Sequence, residues 1–232
     1  MDDAVSGAVS GIFAATGQTC IAGSRLLLQE TIHDQFVEKL VAMARIARLG
    51  DPALAETQVG PVTTPAQYQK ILSYIDIAKR EGARCVLGGS AASKDEGGGQ
   101  YFVKPTIFTS VNNKMRIAQE EVFGPVLSVI KFKDEDEAIA IANDIAYGLG
   151  AGVWTQSLKR AHTMAARIKA GTVWVNTYRA VSFLMPFGGY KASGIGRENG
   201  VEAIEGYLQT KSVWINNAPG GGNPFVMRTA AS

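Results

Sequence analysis

Residues 126–176 hold the pattern that most narrows the fold. Val126–Phe132 reads as a strand. Asp134 and Glu137 then form a capping box for a helix with Ala138, Ile141, Ala142 and Ile145 on one face. Gly150–Thr155 reads as the next strand. Ser157 caps a second helix, with Leu158, Ala161, Ala165 and Ile168 turned inward. Arg167 and Lys169 suit the negative end of its dipole, Gly171 stops it, and Thr172–Asn176 reads as a third strand. This β-α-β-α-β series predicts an α/β protein with a mostly parallel sheet covered by helices. Apolar runs such as Val126–Ile130 fit strands buried on both faces.

The preceding residues carry the same mixture. Arg25–Gln29 is a short apolar strand. Thr31 is expected to cap a helix whose Ile32, Phe36, Leu40, Met43 and Ala47 repeat at helical spacing, ending at Gly50-Asp51-Pro52. A second helix is expected from Thr64 or Pro65 to Glu81, stopped by Gly82, followed by a strand at Arg84–Leu87. Lys94–Gln100 is a polar, Gly-rich surface loop. Strands are expected at Tyr101–Val103 and Thr106–Phe108, then a short helix from Asn113. Beyond the irregular stretch Thr177–Gly196, a helix over Arg197–Tyr207 and a strand at Lys211–Ile215 are expected to close the fold. The residues from 217 to 232 read as a flexible tail. No repeat of 20–50 residues is present.

Composition removes several function classes. With 46% hydrophobic and 19% charged residues over 232 positions, the chain is not disordered and is long enough for a real core. The formal net charge of +2, with signs interspersed, argues against a nucleic-acid or membrane-surface binder. Two cysteines exclude a disulfide scaffold, and the two histidines, His33 and His162, lack a cysteine partner for zinc, so no metal is expected.

The segment Ala4–Ser24 has no charge. Asp2-Asp3 supplies an acidic start where a signal peptide is basic, and Ser6, Ser10, Thr16, Gln18 and Thr19 are too polar for lipid. A soluble cytoplasmic protein is the expectation, with this stretch as a buried segment around Cys20.

Cys20 stands out among the candidate residues. Small residues flank it, and Gly17 and Gly23 permit tight turns beside it. No His, Lys or acid lies within four residues, so the residues alone leave both a catalytic and a structural thiol open. Cys85, in a strand pattern, reads as an inert buried thiol. Glu120-Glu121 reads first as a solvated pair; a Gly-Pro turn just after Glu121 and the flat ring of Phe123 lift Glu121 above that, since a carboxylate accepts well from vicinal ribose hydroxyls. Arg179, after the strand end at Asn176, reads as a surface arginine or as a partner for a substrate carboxylate. Gly194-Ile-Gly196-Arg-Glu-Asn-Gly200 misses the dinucleotide fingerprint by one position, and there is no Walker A pattern.

Three motifs in order resemble the aldehyde dehydrogenase superfamily. They are Gly17-Gln18-Thr19-Cys20-Ile21-Ala22-Gly23-Ser24-Arg25, Glu120-Glu121-Val122-Phe123-Gly124-Pro125-Val126, and Pro186-Phe187-Gly188-Gly189-Tyr190-Lys191 with Ser193-Gly194 and Gly196-Arg197-Glu198. Thr172-Val-Trp-Val-Asn176 also fits, and the resemblance extends to about Asn216. It implies a catalytic domain over residues 1–216, with 207–216 as an oligomerisation strand. It implies Cys20 as nucleophile, NAD or NADP as cofactor with Glu121 on the nicotinamide ribose and Phe123 by the nicotinamide, and Val181, Phe183 and Phe187 lining an apolar tunnel for a small-molecule aldehyde. A homo-oligomer is implied as well. Only 19 residues precede Cys20, so the family's cofactor-binding domain, general-base Glu and oxyanion Asn fall outside this sequence. The expectation is therefore an isolated catalytic part without turnover. A non-catalytic remnant, or an enzyme passing its thioester to coenzyme A, are the alternatives.

Overall fold

The computed structural model describes residues 1–217 and Phe225. The tail expected over 217–232 otherwise lies outside the described residues. The central element is a four-stranded sheet of β1 (Arg25–Gln29), β2 (Arg84–Leu87), β3 (Thr106–Thr109) and β4 (Val126–Phe132), in the order β1-β4-β3-β2. β4 pairs in parallel with both β1 and β3, and only β2 runs antiparallel.

β4 is central because its side chains are apolar on both faces. Val126 and Ile130 join Phe108 in one core with Ile71, Ile75 and Ala78 of α3 (Pro65–Arg80) and Ile117 and Ala118 of α4 (Arg116–Gln119). Leu127 and Val129 point the other way. With Ile107 they meet Val5, Ile12 and Phe13 of α1 (Asp2–Phe13) and Phe36, Leu40 and Ala44 of α2 (His33–Arg45). The period-2 alternation of a strand thus separates two cores, one on each side of the sheet. The helix starts follow local chemistry. Thr64 accepts from the Gln67 amide with Pro65 at the first position of α3, and Asp134 and Ser157 cap α5 (Glu135–Asn143) and α6 (Leu158–Arg167) in the same way.

Several expectations are corrected. β4 does not share a sheet with β6 (Gly150–Val153) and β7 (Thr172–Val175), which pair in parallel with each other as a separate two-stranded unit. A third small pair joins β5 (Tyr147–Gly148) to β8 (Tyr190–Lys191). The uncharged N-terminal stretch is not simply a buried segment: half of it is α1, and Cys20 is exposed. Thr31 does not cap α2, whose N-cap is Ile32 without a side-chain bond, and α2 ends at Arg45 rather than near Gly50. The capping box of α5 is half formed, because Glu137 accepts from the Lys133 amide instead of from Asp134.

Tyr101–Val103 makes only an isolated bridge, Val103 to Ala91. The helix expected from Asn113 begins at Arg116. The helix expected over Arg197–Tyr207 is a 3-10 turn at Val201–Tyr207. Lys211–Ile215 forms no strand among the described residues; Val213, Trp214 and Ile215 are exposed, and no described residue pairs with them in a ladder. Leu158, expected inward on α6, is exposed too.

Among the described residues no helix is long and apolar enough to cross a membrane, and no group of three His, Cys, Asp or Glu is placed to hold a metal ion.

Candidate active site

The loop bearing Cys20 follows α1 through a tight turn, Ala14–Gly17. Ala15 and Thr16 adopt left-handed backbone at φ 53° and 57°, and Gly17 continues it at φ 67°. Non-glycine residues persist there only when their surroundings over-determine them. Those surroundings are visible. Thr16 Oγ1 donates to the Gly60 carbonyl at 3.2 Å, and Gln18 Oε1 accepts from both the amide and the hydroxyl of Thr63 at 2.9 Å each. Gly17 lies so close to the Gly124 carbonyl that a Cβ there would sit 2.1 Å from its oxygen. The first and second sequence motifs therefore touch, backbone against backbone.

Glu121 and Phe123 occupy the loop between α4 and β4. Phe123 is left-handed at φ 55°, and the Gln67 side-chain amide donates to the carbonyls on either side of it, Val122 at 2.8 Å and Phe123 at 3.0 Å. Cys20, Glu121 and Phe123 all line one cavity of about 1090 Å³, together with Arg25, Trp154, Lys169 and Tyr178. Three of the residues singled out from sequence are thus brought together. Val181, Phe183 and Phe187 are not among that lining: Val181 and Phe183 lie exposed, and Phe187 is held in a two-way backbone bridge with Glu198.

Neighbouring Glu120 has a different task from Glu121. Arg116 grips its carboxylate through two nitrogens, at 2.8 and 2.9 Å, and Tyr74 donates its hydroxyl at 2.5 Å. The arginine bonds first, then the tyrosine, hold its pKa down from 4.5 to about 2. Because the folded value is depressed, this stabilising contribution is present above the unfolded value and is lost as pH falls from about 4.5 toward about 2. Glu120→Gln is therefore expected to flatten the acid limb of a stability-versus-pH curve in that window while leaving pH 7 to 8 without slope change. Urea denaturation at a series of pH values checks it.

The sequence reading overlooked the residues that hold this site. Arg25, the last residue of the first motif, is largely buried and donates to the Ile141 and Ala142 carbonyls at the end of α5 and to Asn113 Oδ1. Lys191 donates to the Asn143 and Ile145 carbonyls at the same helix end. Two cations from distant motifs thus meet the negative end of one helix. Tyr178 packs its ring against Gly11, Gly23 and Gly152 and stands edge-on to Trp174 at 5.0 Å, and burial pushes its hydroxyl up to about 12. The available signal was the spacing of small residues, Gly11 and Gly23, on either side of Cys20, which leaves room for a large ring. Arg179 sits beside it with left-handed backbone, and its guanidinium donates at 3.5 Å to the Ser10 carbonyl of α1. Cys85 is half-buried, and its thiol donates to the Leu87 carbonyl at 3.2 Å; desolvation raises its pKa.

Comparison with known proteins agrees with this geometry. The chain matches the aldehyde dehydrogenase family model over residues 1–213. It is 48% identical over 215 residues to a betaine aldehyde dehydrogenase of Mesorhizobium japonicum, covering 93% of this chain and 44% of that protein. Its structure resembles a betaine aldehyde dehydrogenase of Staphylococcus aureus with a TM-score of 0.93 and 42% identity, over 97% of this chain and 46% of the other. It resembles the NAD+ complex of an aldehyde dehydrogenase from Bacillus cereus with a TM-score of 0.88 and 46% identity, over 94% of this chain and 43% of the other. The chain spans less than half the length of these relatives. Motif order, the shared cavity and these matches together establish that the chain belongs to the aldehyde dehydrogenase family.

Proposed function

We propose that this chain carries the nucleophile-bearing part of an NAD(P)-dependent aldehyde dehydrogenase that oxidises a small-molecule aldehyde to a carboxylic acid. The observation that carries the reading is the meeting of Cys20, Glu121 and Phe123 on one cavity, from loops about 100 residues apart. Cys20 Sγ attacks the aldehyde carbonyl carbon, and the Cys20 backbone N–H donates to the oxyanion that forms. Exposure of Cys20 leaves the sulfur accessible to a carbonyl. A bound NAD(P) would supply the acceptor for the hydride whose loss turns the thiohemiacetal into a thioester. The residues present fit one end of that cofactor: the Glu121 carboxylate is an acceptor pair for a ribose diol, and Phe123 offers a flat face. Water then cleaves the thioester, releasing the acid and restoring the thiol. Val181, Phe183 and Phe187 belong in this reading to the apolar wall of the aldehyde approach, outside the cavity that the chain closes by itself. The exposed apolar residues 207–215 belong to contact with a second copy in a homo-oligomer.

An activated ester tests the nucleophile without any hydride acceptor. p-Nitrophenyl acetate is expected to release about one equivalent of nitrophenolate as the acetyl group passes to sulfur, with the acetyl found on Cys20 by peptide mass spectrometry. Acetylation of Cys85 first would overturn the assignment, because that thiol is half-buried and its pKa is raised. The chain alone is expected to give no NADH from propanal, since among the described residues no base is hydrogen-bonded to the Cys20 thiol, and a nucleophile without one loses orders of magnitude in rate. Turnover that disappears in Cys20→Ala would show that the chain needs nothing further.

A further inference from the structure

We infer that Gln18 and Gln67 are positioning residues that set the Cys20 loop and the Glu121–Phe123 loop in one mutual register, through the shared segment 60–67. This deepens the functional reading above and rests on it for the roles of Cys20, Glu121 and Phe123.

Both loops adopt backbone that their residues do not favour, and each has one glutamine where the strain lies. On the first loop, Gln18 follows three consecutive left-handed residues, Ala15 to Gly17. Its Oε1 takes two donors from Thr63, and its Nε2 donates at 3.4 Å to the Pro61 carbonyl. On the second loop, Gln67 Nε2 donates to two successive carbonyls. Successive carbonyls of extended backbone point to opposite sides, so they converge on one donor only where the residue between them is turned. That residue is Phe123, at φ 55°. The Gln67 amide and the left-handed Phe123 are therefore one feature.

Thr63 and Gln67 lie four residues apart, on either side of the Thr64 cap of α3. The start of α3 is itself fixed: Ile71 is fully buried, and its side chain fills the space against Gly124. The third side of the arrangement is the direct Gly17–Gly124 contact. Three contacts thus close a triangle between the nucleophile loop, the Phe123 loop and the head of α3. Cys20 is two residues from one corner, and Glu121 two residues from another. Neither glutamine reaches the nucleophile, so each acts through backbone.

The experiment compares wild type with Gln18→Leu, Gln67→Leu and Gln18→Glu. Hydrogen–deuterium exchange reads the peptides over 15–24 and 120–126. Alkylation by iodoacetamide from pH 6 to 10 reads Cys20, with Cys85 as internal reference. Either leucine variant is expected to raise local exchange in its own loop roughly fivefold or more, Gln18→Leu by losing three side-chain hydrogen bonds and Gln67→Leu by losing two, without raising exchange in β4. The decisive result is remote. Gln67→Leu, at a side chain whose hydrogen bonds go to Val122 and Phe123 and not to the Cys20 loop, is expected to change the Cys20 alkylation rate about threefold or more at every pH, with Cys85 unchanged. Gln18→Glu keeps the acceptor facing Thr63 but loses the donor to the Pro61 carbonyl, and is expected to fall between wild type and Gln18→Leu. Should Gln67→Leu fail to fold, Thr63→Val removes one donor from the Gln18 clamp at the surface and is expected to shift Cys20 alone. Wild-type exchange and wild-type Cys20 rates in both leucine variants would overturn the positioning role. Slower labelling of Cys20 than Cys85 in the wild type would instead overturn the nucleophile reading, which separates the two failures.

Discussion

Gly17→Ala is expected to cost roughly 2–5 kcal/mol and to displace the Cys20 loop. Two penalties add. A left-handed backbone costs an alanine about 1–2 kcal/mol that glycine does not incur. The new Cβ would then meet the Gly124 carbonyl oxygen at 2.1 Å and its carbon at 2.4 Å. Both atoms are backbone at the Gly-Pro turn leading into β4, so no side chain can rotate away; forcing room in a packed site costs a further ~1–3 kcal/mol. Urea denaturation measures the loss, and p-nitrophenyl acetate measures the consequence for Cys20. A variant as stable as wild type would mean that the two loops are not in contact in solution.

Phe108→Ala is expected to destabilise by about 3–5 kcal/mol, the range for deleting a fully buried aromatic side chain. Phe108 has no exposed surface, sits in β3 beside β4, and packs in the core shared by α3 and α4. Removing it opens a cavity beneath the helix whose head, from Thr63 to Gln67, bonds both site loops. Stability and Cys20 reactivity are therefore expected to fall together, whereas a smaller truncation on the opposite core, Leu40→Ala, is expected to lower stability with little effect on Cys20. Denaturation midpoints and alkylation rates for the two variants make the comparison.

What the sequence made legible was local. Asp134 and Ser157 cap their helices as read, because capping needs only the next three residues, although Thr31 does not cap α2. Arg25–Gln29, Arg84–Leu87 and Val126–Phe132 are strands at the bounds their apolar runs predict. α1 was hidden because Gly7 and Gly11 stand on it where apolar residues would mark a face; they are small because Trp154 and Tyr178 press against them. The separation of β6 and β7 from the four-stranded sheet was hidden because pairing is decided by distant partners, not by alternation within a strand. The site divides in the same way. Motif resemblance singled out Cys20, Glu121 and Phe123, and they share a cavity. Gln18 and Gln67 went unnoticed because their partners lie 45 and 55 residues away in sequence.

The pairing of β1 with β4 bears on how the chain is made. Leu27 lies opposite Ile130, so the first strand waits for a partner synthesised about 100 residues later; at ~5–20 residues per second that is a delay of roughly 5–20 s. Until β4 leaves the ribosome, Leu26, Leu27 and Leu28 lack the strand they pair with here, and the nucleophile loop that runs into them has its contacts to Gly60, Pro61 and Thr63 but not the one to Gly124. Such long-range pairing folds slowly and leaves an apolar strand exposed to other nascent chains meanwhile. Yield of soluble protein is therefore expected to depend on growth temperature as well as on the stability of the finished fold.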